Sequence, residues 1–152
     1  MAYTTVQARQ HLLDQIAGAG EKLGLALAYL GEAYEQLDEY AGERLEDELF
    51  RPIRKAYGLL KRDHAAFAGR HELPPGMPEP EPPQVLPDNA KGAIDHALEA
   101  VGEADGALAE LQDSMLPVEV GDPELRAALA QVRQLLGGLS EQARQLVRTL
   151  GR

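Results

Sequence analysis

Four histidines and twenty-five acidic residues are the groups with which this 152-residue chain could hold a metal or move a proton. There is no cysteine, which removes thiol catalysis, disulfides and cysteine-ligated zinc from consideration. A carboxylate-bridged metal site built between helices calls for Glu-x-x-His, a spacing that sets both ligands one turn apart on one face. Three residues before His11, His64, His71 and His96 stand Ala8, Lys61, Ala68 and Ala93, none of them acidic. His11 with Asp14 and His96 with Glu99 offer only the reversed order. His64 differs from the other three in falling on an apolar helical seam beside Asp63. An imidazole there is either a ligand or acid–base group, or a core histidine whose nitrogens find hydrogen bonds. Glu32 and Glu103 occupy matching places in two similar stretches, LGEA at 30–33 and VGEA at 101–104. With His64 they form the candidate metal-ligand set.

The remaining carboxylates read as solvated charge. Glu35 with Asp38 and Glu110 with Asp113 have the Glu-x-x-Asp spacing, and Glu43, Glu46, Asp47 and Glu48 form a dense patch. Helical nucleotide pyrophosphohydrolases hold magnesium on comparable carboxylates, but with a leading Glu-Glu-x-x-Glu that this chain lacks. No Gly-x-x-x-x-Gly-Lys phosphate loop, Gly-x-Ser-x-Gly elbow or His-Glu-x-x-His pair occurs. Ser114 and Ser140 are the only serines, and neither adjoins a histidine. No catalytic residue and no cofactor is assigned on these grounds. A formal net charge of −10 argues against nucleic acid and anionic membranes as partners, because both are bound by basic surfaces. Aromatics make up 5% of residues and tryptophan is absent, so a stacking platform is not expected; Tyr29, Tyr34, Tyr40 and Tyr57 read as core or boundary residues.

The elements that would position these groups are helices. Thr4 or Thr5 caps the first, and Thr4 with Gln7 fits a capping box. Its seam runs Val6, Leu13, Ile16, Gly20, Leu23, Leu27, Leu30, Tyr34, Leu37 and Ala41, predicting a helix that ends near 40–42. Gly18, Gly20, Gly24 and Gly31 interrupt it; they imply either close approach by another helix or a second copy, or a weak point at 18–20. A second helix carries Ile53, Tyr57, Leu60, His64 and Phe67. Pro52 either opens it near Phe50 or kinks a helix begun near Glu43. Asp88 or Asn89 caps a third, with Ile94, Leu98, Val101, Asp105 or Ala104, Leu108, Leu111 and Met115 on its seam. Asp122, Pro123 and Glu124 start a fourth, after the loop LPVEVG, with a bend or close crossing at Gly137 and Gly138.

Between the second and third helices lies HELPPGMPEPEPPQVLP, residues 71–87, in which seven prolines forbid helix and favour a stiff, extended strap. At about 3.1 Å per residue such a strap spans roughly 50 Å, enough to run the length of a bundle. At an offset of 71 the two halves align LGEA with VGEA and Pro52 with Pro123, the pattern of a duplicated hairpin. The predicted fold class is therefore all-α: a four-helix bundle in one domain over 1–152, with hairpins at 4–70 and 88–150 joined by the crossover at 71–87. That arrangement resembles the ferritin-like architecture; the alternative is a simple up-down-up-down bundle. The first residues, MAYTTVQARQ, lack a basic stretch followed by an apolar core, so a cytoplasmic, soluble protein is expected. Functionally, long helices with no catalytic set point to a non-enzymatic protein acting through association, as a homo-oligomer or with a helical partner. The alternatives are a metal-dependent enzyme using inward-facing carboxylates, and a binder of small apolar ligands between the helices.

Overall fold

In a computed structural model, which describes residues 4–150, the chain is all-α and carries no strand among the described residues. The three residues before and two after this range, included in the expected 1–152 domain, lie outside the described residues. Helix α1 spans Thr5–Glu35 and opens on the capping box: Thr4 Oγ1 accepts from the Gln7 N–H, and the Thr4 N–H donates to the Gln7 side chain. It stops short of the expected 40–42. Asp38 caps a new helix, accepting from the Ala41 N–H at 2.8 Å, so Leu37 and Ala41 belong to a turn and a second rod.

That second rod is α2 (Glu39–Leu45), a widened π-helical turn (Glu46–Phe50) and α3 (Arg51–Arg70) in unbroken succession. The Arg51 N–H donates to the Glu46 carbonyl, five residues back. Pro52 explains the widening, since it has no N–H and its ring would press on the preceding turn of a regular helix. Proline thus sits inside a helix that starts earlier than either residue 43 or residue 50. Asn89 caps α4 (Ala90–Asp113), accepting from the Gly92 N–H. The expected LPVEVG loop contains the short helix α5 (Leu116–Glu119). Asp122 caps α6 (Pro123–Gly137), and Gly138 separates it from α7 (Leu139–Leu150), the bend anticipated at the glycine pair.

Helix α1 is flanked by α3 and α4, while α6 packs on α3 and α4 and α7 packs on α4 and the π turn. Pairing of Lys22 with Glu103 and of Tyr29 with His96 sets α4 antiparallel to α1. His64 beside Leu13, and Leu60 near Gly20, set α3 antiparallel to α1 as well. The two helices joined by the strap therefore run the same way and do not lie side by side. One connected core fills the space between rods, with Leu12, Leu13, Ile16, Leu45, Leu49, Phe67, Ile94 and Leu108 fully enclosed. Val6, Tyr34 and Met115, placed on seams by their spacing, are exposed: Val6 and Tyr34 lie in the terminal turns of α1, and Met115 lies past the end of α4 at Asp113. No helix among the described residues is long and apolar enough to cross a membrane.

The strap climbs α1 in the direction of that helix. Met77 is buried over Gly20, where an added Cβ would lie 2.7 Å from the methionine Cε. Four residues further along α1, the Pro80 ring occupies the space a Cβ on Gly24 would take. These two glycines admit the protein's own strap, where the sequence pointed to another helix or a second copy. Gly18 and Gly31 face open space.

Candidate functional site

Because the strap stands off from α1 except at its two glycine seats, a groove opens between them, with His64 of α3 in its wall. Its volume is about 480 Å³. Helix α1 contributes Asp14 and Glu21 from one face, at the i, i+7 spacing that brings residues two turns apart onto one side. The strap contributes Pro74, Pro75 and Pro78 and the carboxylates of Glu79 and Glu81. Gln10 also reaches the groove, and its amide donates to Asp14 at 2.9 Å. No lysine or arginine lines it. Lys61 approaches Glu79 at 4.0 Å, with both side chains more than half exposed, a geometry that holds little charge in place.

His64 is only 4% exposed, and its Nδ1 has no hydrogen-bond partner. Burial lowers its pKa, against smaller opposing pulls from the Leu13 carbonyl and the Asp14 carboxylate. The imidazole is thus held in its neutral form at neutral pH.

The structure does not bring Glu32, Glu103 and His64 together. Glu103 pairs with Lys22 at 3.0 Å on the α1–α4 face and raises the lysine pKa through a hydrogen bond and its charge. Glu32 lies ten residues further along α1, roughly 15 Å at 1.5 Å per residue. His64 sits at the level of Leu13, about 28 Å from Glu32 by the same rise. Among the described residues, no cluster of three or more histidines and acids is arranged to hold a metal ion. The acidic patch at 43–48 is answered largely by arginines of the same rod: Glu46 meets Arg54 at 2.9 Å, Asp47 meets Arg51 at 3.1 Å, and Glu48 meets Arg44 at 3.3 Å. On α4, Asp105 accepts from Arg133 of α6, which also donates to Gln112, both at 2.9 Å.

Where the strap leaves α3, Asp122 gathers three partners. Arg70 donates to both of its oxygens, at 2.8 and 2.9 Å, His71 Nε2 lies 3.0 Å away, and the Leu125 N–H completes the cap. Burial opposes ionisation here, but the hydrogen bonds from Arg70, Leu125 and His71 outweigh it and hold the carboxyl well below the usual range. This clamp is structural: it ties the end of α3 and the start of the strap to the start of α6.

Of the groove's components, sequence reasoning singled out His64 alone. Glu79 and Glu81 were read only as strap residues, and Asp14 only as a neighbour of His11. The available signal was the pair Gly20 and Gly24, four apart, facing a proline-rich segment of the same chain. No family model, curated protein or solved structure matches this chain.

Proposed function

We propose that the protein is a non-enzymatic helical scaffold that acts by association, with a second copy of itself as partner. The observation that carries this reading is the position of the large apolar side chains left exposed: Val6, Tyr34, Tyr40, Val85, Leu86, Met115 and Val118. All belong to helix ends or connections, and none to the middle of a rod. The antiparallel register of α1 and α4 assigns Tyr34, Tyr40, Val85 and Leu86 to one end of the bundle and Val6, Met115 and Val118 to the other. Tyr40 is 70% and Val85 78% exposed, on a molecule whose flanks are covered with charge. Apolar groups gathered in this way, away from charged flanks, favour contact between ends. The reading is preferred to a metal-dependent enzyme because the candidate ligands stand at separate levels of the bundle.

Light scattering across a wide concentration range tests it. An assembly larger than the monomer is expected, and Val85→Asp with Leu86→Asp, or Val118→Asp at the other end, should dissociate it. A wild-type monomer at every concentration would defeat the reading. We further read the halves as two copies of one hairpin, since at an offset of 71 LGEA at 30–33 matches VGEA at 101–104 and Pro52 matches Pro123. The cysteine-free composition is in keeping with a reducing, cytoplasmic setting.

A further inference from the structure

We propose that the strap is a docking ligand as well as a connector: over residues 77–83 it presents a preformed polyproline helix to a partner protein whose groove is lined with aromatic side chains and rimmed with basic ones. Residues 73–83 form neither helix, strand nor turn. Pro78, Pro80, Pro82 and Pro83 lie within the run, and Gly76, with φ of 103°, separates it from Pro74 and Pro75. Exposure along the run follows a period of three. Met77 is buried and Pro80 and Pro83 are half-buried, whereas Pro78, Glu79, Glu81 and Pro82 are all exposed. Three residues per turn is the repeat of a polyproline helix, which therefore has three edges. One edge turns inward, with Met77 over Gly20 and Pro80 over Gly24. The other two, Pro78–Glu81–Gln84 and Glu79–Pro82–Val85, face solvent.

This arrangement suits recognition by a groove. Aromatic-lined grooves take proline-rich ligands in the polyproline conformation, packing pyrrolidine rings against flat side chains. A groove that meets the ligand from one side leaves the far edge free, and here that edge is the one α1 already holds. The seats at Gly20 and Gly24 also remove freedom that a loose peptide would lose on binding. Charge selects the rim. Residues 71–87 include Glu72, Glu79 and Glu81 and neither lysine nor arginine. The Glu79 side chain is 89% exposed, and Lys61 comes no nearer than 4.0 Å. Basic side chains beside the groove therefore complement the strap. A second copy of this chain is the wrong occupant: it has no tryptophan, and its exposed Tyr34 and Tyr40 adjoin Glu35 and Glu39.

Titration of the full chain into a panel of SH3 and WW domains with tryptophan in the groove, some basic-rimmed and some acidic-rimmed, tests the proposal. Because this protein has no tryptophan, the fluorescence belongs to the probe alone. Saturable one-to-one binding is expected with basic-rimmed members only. Pro78→Ala/Pro82→Ala, on the exposed edges, should weaken it at least tenfold with the helical circular dichroism unchanged, and Pro74→Ala, outside the run, should bind as wild type. A synthetic peptide of residues 73–84 should bind at least fivefold more weakly than the full chain. Failure of every basic-rimmed member to bind, or wild-type affinity in Pro78→Ala/Pro82→Ala, would overturn the proposal. So would a peptide that binds more tightly than the full chain, since the strap would then have to leave α1 to be read.

Discussion

Alanine at Gly24 and at Gly18 should change stability in opposite directions, although both glycines lie in the interior of the same helix. Replacing an interior helical glycine by alanine stabilises by up to about 1 kcal/mol through backbone entropy alone. At Gly18 and Gly31 the new methyl meets open space, so the full gain is expected. At Gly24 the methyl falls inside the Pro80 ring, which is stiff and has no rotamer to change. Overpacking of this kind costs about 1–3 kcal/mol, so Gly24→Ala should be net destabilising, by about 1 kcal/mol, and differ from the Gly18→Ala control by about 2 kcal/mol. With a urea m-value of about 2 kcal/mol/M, the two midpoints would separate by about 1 M. Gly20→Ala should fall between them, since its methyl meets the far end of the flexible Met77 side chain. Urea unfolding followed by circular dichroism measures all four. In a Pro80→Gly background the Gly24→Ala penalty should vanish and the helix-propensity gain return. If Gly24→Ala stabilises the wild-type protein as much as Gly18→Ala does, the strap is not seated on α1 and the groove does not exist in solution.

Acid sensitivity should trace in part to His64. Its folded pKa is lowered by burial below the unfolded value near 6.5, so its contribution is complete above that pH and is lost as pH falls through 6.5 towards the folded value; between pH 8 and pH 5 the urea midpoint of His64→Leu should fall less than that of wild type, and equal falls would refute a buried neutral imidazole. Asp122→Ala removes a helix cap and a doubly hydrogen-bonded arginine partner, and should cost about 2–3 kcal/mol in chemical unfolding, whereas Asp122→Asn keeps an acceptor for the Leu125 N–H and should cost less. Because the Asp122 pKa is depressed, the difference between aspartate and asparagine should be largest above pH 4 and shrink as the solution is acidified below it.

The helices were legible because their signals are local. Thr4 with Gln7, Asn89 and Asp122 with Pro123 each satisfy N–H groups within three residues, so the chemistry of a start can be read without knowing what the helix packs on. The end of α1 was not legible. Leu37 and Ala41 keep the helical period, and only the geometry of Asp38 shows that the chain turns and is capped afresh. Pro52 left two readings open because the π turn that absorbs it depends on hydrogen bonds five residues apart, for which side-chain type gives no sign. The groove was hidden for a further reason. Its walls come from 10–21, from 64 and from 74–81, and helical periodicity gives the phase of a residue on its own helix without the phase of a strap laid across it.

Helix α1 carries the final step. Its buried residues include Ala8, Leu12, Leu13, Ile16, Ala19, Gly20, Leu23, Gly24, Ala26, Leu30 and Ala33, which cover far more than the single stripe of a surface helix. Three neighbours account for them: α4 on one side, α3 on another, and the strap between α3 and open solvent. Gly20 and Gly24 are small because a polypeptide without helical thickness must come close to be buried, and Met77 and Pro80 do so where no Cβ intervenes.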